Sequence, residues 1–191
     1  MNDLRTLKAE FKDIVSSNIH RDGIDDLMAW LESTDFYSAP SSTRYHGAEP
    51  GGLVAHSIAV YNRLKQKQTD EDETDETIAI ASLFHDLCKC NFYKQTFRNV
   101  KNEVTGKWEK MPAYEIDETS IPLGHGEKSI FTIMKFMKLT DEEALAIRWH
   151  MGFSAVEQQF EKPSMARAMQ ICKLVIKLQE ADTEASFWDG K

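Results

Sequence analysis

Apolar residues recur at close to the 3.6-residue period of an α-helix along most of this chain, and that rhythm commits it to a helical body. Leu4, Leu7, Phe11, Ile14 and Val15 mark a helix over 2–17, and Ile24, Leu27, Met28 and Leu31 mark a second over about 22–33. Ser, Thr, Pro and Gly crowd the segment from Ser33 to Pro50, which reads as a connecting loop. Gly51-Gly52 opens a helix over about 53–66. A strongly apolar helix follows over 75–88, then helices over about 126–138 and 141–151, the latter led by a capping box, Thr140-x-x-Glu143. A long helix is expected over about 164–187. One stretch breaks the rhythm. Residues 91–117 are rich in β-formers (Phe97, Val100, Val104, Trp108, Tyr114), with Thr105-Gly106 as a turn. The expected fold class is all-α, a helical bundle with a small β-hairpin insertion over 91–117.

Composition narrows the functional classes. A chain of 191 residues with 41% hydrophobic and 28% charged residues forms one substantial core, so one domain over 1–191 is expected, with N-terminal helices and loop over 1–43. No apolar run reaches the roughly 18–20 residues of a membrane span, and the N-terminus lacks a signal-peptide core. A cytoplasmic protein is the expectation, and three cysteines (Cys88, Cys90, Cys172) suit a reducing compartment. Cys88-x-Cys90 has no second pair to complete a zinc knuckle. The net charge is −8, with six acidic groups in residues 70–76, a solvated run leading into a helix. The absence of a basic excess argues against long nucleic acids as partners.

The histidines carry more information. His56 lies three residues after Leu53 and four before Val60, on the apolar stripe of its helix. His85 and Asp86 end the most hydrophobic helix, Asp182 lies four residues after Leu178, and His150 three after Ile147. His125 stands just before a helix. A single histidine on such a face is more often a satisfied core residue. Several polar residues on separate apolar faces would each need their own compensation, and one divalent ion would satisfy them together. Imidazole nitrogen with carboxylate oxygen suits Fe, Mn, Co, Ni or Zn.

These residues resemble the HD-domain superfamily of metal-dependent phosphohydrolases, whose H…HD…D pattern is matched by His56, His85-Asp86 and Asp182. The segment from Tyr45 to Ser57 is similar to that in the branch containing 3′-to-5′ exoribonucleases, and His85-Asp86-Leu87-Cys88-Lys89 to the HD-x-x-K form. Gly124-His125-Gly126-Glu127 and Arg148-Trp149-His150-Met151 match places where two-metal members supply further histidines. The resemblance covers residues 44–187. It implies an HD-type bundle with one metal held by His56, His85, Asp86 and Asp182, and a second by His125 and His150 with Asp86 bridging. Several relatives have a His-His pair where this chain has His150-Met151, so the second site has fewer ligands. On an unbroken helix His85 and Asp86 diverge by ~100°, and they converge only if the ion sits at the helix flank or the helix end distorts.

The implied activity is hydrolysis of a phosphate ester of a small metabolite, a nucleotide foremost, with one or two divalent ions per chain and magnesium as a further candidate. Asp86 and Lys89 are the expected catalytic residues, and Arg44, His46 and Arg148 are candidates for substrate phosphate. Cleavage of short single strands is the alternative activity; a metal-binding sensor without catalysis is the alternative class. Phe92, Tyr93, Phe97 and Trp108 in the hairpin are expected to cover the core or a dimer face rather than stack on a base. The sequence leaves the oligomeric state open.

Overall fold

The computed structural model describes residues 3–43, 47–69, 73–117, 121–155 and 161–189. Among them lie eight α-helices and one two-stranded sheet: α1 (Leu4–Asn18), α2 (Ile24–Glu32), α3 (Gly52–Lys67), α4 (Asp75–Phe84), β1 (Tyr93–Lys101), β2 (Trp108–Ile116), α5 (His125–Ile133), α6 (Asp141–Trp149), α7 (Glu161–Ile171) and α8 (Lys173–Glu184). The all-α class with a hairpin insertion is what the periodicity predicts. Local chemistry sets several boundaries. Asp3 caps α1 through the Arg5 N–H, and Thr74 caps α4 through the Thr77 N–H. Thr140 and Glu143 close both halves of the capping box on α6.

α3 and α4 lie at the centre because both are apolar on more than one side. Toward one side, Leu53, Val54, Ala79, Leu83 and Phe84 pack with Leu7, Phe11 and Val15 of α1 and with Leu27 and Leu31 of α2. Phe11 meets Phe84 edge-on at 6.1 Å and Phe36 at 5.0 Å, so the loop after α2 also fills the core. Toward the other side, Val60, Leu64, Ile78 and Ala81 pack with Trp149, Met165, Leu174, Val175 and Leu178. No helix among the described residues is long and apolar enough to cross a membrane.

Four expectations need correction. α4 stops at Phe84, short of 88; His85 keeps helical angles, Asp86 leaves them (φ −105°, ψ 19°), and a 3-10 turn follows over Leu87–Lys89. α5 ends at Ile133, and residues 134–137 form turns. The long C-terminal helix is two helices, broken at Cys172 (φ −136°, ψ 106°). No Pro or Gly marks that break; Met165 and Ala168 of α7 and Leu174, Val175, Leu178 and Ala181 of α8 are buried on either side of it. Of the two roles expected for the hairpin aromatics, cover of the core or of a dimer face, the first does not hold for Phe97 and Trp108. The antiparallel strands of the hairpin pair Tyr93 with Ile116 through to Lys101 with Trp108, and nine residues at about 3.3 Å each carry the tip about 30 Å out. Phe97 is 69% exposed and Trp108 70%, while Tyr93 and Tyr114 near the base are half-buried. Gly106, at φ 69°, supplies the left-handed residue of the connecting turn.

Candidate metal centre

The site is assembled from helix ends. Because α4 ends at Phe84 with His85 as its C-cap, the next residue is free of the helical spiral, and Asp86 sits in the sparsely populated bridge region where it faces the same side as His85. His150 occupies the equivalent position after α6, His125 is the first residue of α5, and His56 and Asp182 come from within α3 and α8. α5 can approach α6 this closely because Gly126 has no side chain: a Cβ there would lie 2.5 Å from the Arg148 carbonyl oxygen and 2.7 Å from its Cα.

Asp86 is 2% exposed, and its two oxygens face two different groups. Oδ2 lies 2.6 Å from Lys89 Nζ, 3.4 Å from His85 Nε2 and 3.6 Å from His56 Nε2. Oδ1 lies 2.7 Å from His125 Nε2 and 3.6 Å from His150 Nε2. Asp182 Oδ1 approaches His56 Nε2 at 3.0 Å and His85 Nε2 at 3.9 Å. Neighbouring rings stack edgewise, His85 against His150 with centroids 4.8 Å apart.

Hydrogen bonds on the far side of two rings decide which nitrogen faces the cluster. His85 Nδ1 lies 2.7 Å from the Ser82 carbonyl and His150 Nδ1 lies 2.7 Å from the Ile147 carbonyl. A carbonyl only accepts, so each Nδ1 donates, and the neutral ring presents the Nε2 lone pair inward. Both Nε2 atoms are buried and have no hydrogen-bond partner among the described residues. Unpartnered lone pairs converging on carboxylates are what a bound cation would satisfy. Three overlapping donor sets, each spanning no more than 4.8 Å, could hold an ion: His56, His85 and Asp86; His85, His150 and Asp182; and Asp86, Cys88 and His125.

The electrostatics show strong mutual dependence. Burial would raise the Asp86 carboxyl, yet Lys89 and the neighbouring imidazoles hold it well below the usual carboxylate range. Burial acts the same way on Asp182, and the His56 hydrogen bond overrides it, lowering the group. Burial works against charge on Lys89, His85 and His125. The Asp86 carboxylate raises Lys89 and His85 nonetheless, and the Cys88 sulfur together with Asp86 raises His125 to about 10. Burial lowers His150.

A cavity of about 220 Å³ opens onto the centre, lined by Asp86, Lys89, His150 and Asp182 and by Thr183 and Ser186. A second, of about 420 Å³, lies on the Cys88 and His125 side beneath the hairpin base, against Phe92 and Lys128. Of the residues expected from sequence, the structure brings His56, His85, Asp86, Lys89, His125, His150 and Asp182 together. Arg148 pairs with Glu127 and Glu161 and lies 4.0 Å over the Trp149 ring, and it is not among the residues that line the cavity at Asp86. Arg44 and His46 lie outside the described residues. Thr183 and Ser186 at the cavity wall and Cys88 beside His125 were not among the residues expected from sequence. Ser186 stands four residues after Asp182, a spacing that shares a helix face, whereas Cys88 had no periodic signal.

A family model described as the HD domain matches residues 53–185, which takes in every donor named above. No curated protein and no solved structure matches the chain. The match is to the family as a whole and designates no branch of it. Because it spans well over half of the chain and its H…HD…D residues are the ones that meet around Asp86, the chain belongs to the HD-domain superfamily of metal-dependent phosphohydrolases.

Proposed function

We propose that this protein hydrolyses a phosphate ester of a small metabolite, with a nucleotide as the expected substrate class. The observation that carries the reading is the pair of buried, unpartnered Nε2 atoms of His85 and His150 converging on Asp86, beside a cavity of about 220 Å³ that Lys89 also lines. That volume is below the usual range for drug-sized ligands and suits a phosphate and its immediate substituent more than a polymer. His56, His85, Asp86 and Asp182 would hold one divalent ion, and Asp86 Oδ1 with His125 and His150 a second. Such ions, when bound, supply positive charge to a phosphoryl oxygen and lower the pKa of a water they hold.

The chain's own residues do the remaining work. Asp86 joins the two halves, since each oxygen serves a different set of imidazoles. Lys89, kept protonated by Asp86, places an ammonium at the cavity wall where it can neutralise phosphate charge. The Ser82 and Ile147 carbonyls keep the His85 and His150 lone pairs aimed inward. Unbridged, buried cysteines suit a reducing compartment such as the cytoplasm.

A second reading, cleavage of short single strands, has one observation in its favour. Phe97 and Trp108 share one exposed face of the hairpin, where bases could stack.

The test is metal content per chain after chelator-free purification, paired with hydrolysis of a panel of nucleotides, simple esters and short oligonucleotides. Asp86→Ala is expected to lower hydrolysis by about 10³-fold or more while the far-ultraviolet circular dichroism is retained. Bound metal without hydrolysis of any substrate would favour a sensor. Failure to bind any divalent ion would overturn the proposal.

A further inference from the structure

The two halves of the centre are unequally furnished. On the Asp86 Oδ2 side stand His56, His85 and Asp182; on the Oδ1 side stand only His125 and His150, and the next residue, Met151, is 38% exposed. The 3-10 turn after Asp86 brings a further donor to the poorer half. Cys88 Sγ lies 3.3 Å from His125 Nδ1 and 3.6 Å from Nε2, and it forms one donor set with Asp86 and His125. The turn is fixed in place: the Cys88 N–H donates to the buried Ser129 hydroxyl at 3.1 Å, and the Lys89 N–H to the Asp86 carbonyl at 2.9 Å.

Distance and chemistry agree. Sulfur at about 2.3 Å and nitrogen at about 2.0 Å from one tetrahedral ion stand about 3.5 Å apart, close to the separation between Cys88 Sγ and His125 Nε2. Independently, His150 Nε2 is aimed at this half, 3.6 Å from Asp86 Oδ1; the residue is 1% exposed and the atom has no hydrogen-bond partner among the described residues. Cys88, His125 and Asp86 form a donor set of three, and His150, which also groups with His85 and Asp182, approaches it at Asp86 Oδ1 as the fourth donor.

We propose that Cys88 is a ligand of the second metal position, together with Asp86, His125 and His150, and that this position therefore takes zinc or iron(II) in preference to magnesium. The proposal rests on the metal-dependent reading above. Thiolate is a soft donor that hard, oxygen-seeking ions bind poorly, so the sulfur biases the choice of ion. Binding converts the thiol to the thiolate and releases its proton to solvent. Cys90, two residues on, plays no part: it is packed in the core.

The experiment is an anaerobic cobalt(II) titration of the chelator-treated full chain, following near-ultraviolet absorption and counting bound cobalt by elemental analysis. Wild type is expected to develop a sulfur-to-cobalt charge-transfer band as one of its ions binds. Cys88→Ser is expected to lose that band and to bind that cobalt about tenfold or more weakly, while Cys172→Ser keeps both. Circular dichroism establishes that each variant is folded. Cobalt bound without the band in wild type, or a band that survives in Cys88→Ser, overturns the role of Cys88 alone. Binding of no cobalt at all overturns the metal-dependent reading itself, and the Cys88 assignment with it.

Discussion

At Asp86 a single residue leaves the helical path, and the geometry of the centre depends on that departure. Had α4 continued to 88, the carboxylate would point about 100° away from His85. The break lets Oδ2 reach Lys89, His85 and His56 while Oδ1 reaches His125 and His150. The residue types and their order were legible in the sequence, since His56, His85, Asp86 and Asp182 stand out as polar groups on apolar faces. The role of Cys88 was not legible, because on a continuous α-helix an i+2 neighbour of Asp86 points about 160° away from it, and periodicity does not register where the helix gives way to a 3-10 turn. Lys89 gives the residue-scale prediction. Lys89→Met removes an ammonium but no metal donor, so kcat is expected to fall about 100-fold with metal content per chain unchanged. Steady-state kinetics with elemental analysis checks this, and loss of metal would make Lys89 a structural partner of Asp86 instead.

Two contacts between elements decide how well the donors are held. Gly126 lets α5 lie against the end of α6, and a methyl group there would overlap Arg148 and Ile147 backbone atoms at 2.5 to 2.7 Å. Gly126→Ala is expected to push α5 outward and carry His125 with it. The variant should bind one ion fewer, keep the ion on the His56 side, and lose about 1–3 kcal/mol of stability, which metal analysis and denaturant unfolding would detect. The second contact anchors α6. Glu143 closes the capping box that its spacing predicts, but it is also buried and receives two hydrogen bonds from Arg21, at 2.5 and 3.0 Å. Only the fold places Arg21, 122 residues away, beside it. Arg21→Ala leaves a buried carboxylate without its cation and is expected to cost about 3 kcal/mol at neutral pH. Arg21 also pairs with Glu76, whose carboxyl lies below its ordinary value of 4.5: burial opposes the shift, but the His20 N–H and Arg21 override it. A lowered folded-state pKa gives stability that is present above about pH 4.5 and lost as pH falls through the folded value. The gap between wild type and Arg21→Ala should therefore narrow in acid, as urea unfolding across that range would show.

Over the whole molecule, the centre joins five helices: α3, α4, α5, α6 and α8 each supply or abut a donor. An ion bound there ties both hydrophobic clusters together, since His56 and His85 come from α3 and α4, each of which contributes to both. Removing it with a chelator is expected to lower the unfolding temperature of the whole chain as one transition. Restoring the ion at a hundred times its Kd should return about 2.7 kcal/mol. Calorimetry with and without chelator tests this; an unchanged melt would mean that the ion contributes nothing to holding the helices together. The sequence by itself determined the helical class, the hairpin's existence, the capping box and the ordered set of polar residues, because periodicity, turn chemistry and the cost of burying charge are local properties. Tertiary structure alone decided where α4 ends, how α8 separates from α7, that Phe97 and Trp108 stand in solvent, and which donors face which oxygen of Asp86. Those outcomes depend on packing between residues far apart in the chain, and a contact such as Gly126 against Arg148 has no expression in the periodicity of either segment.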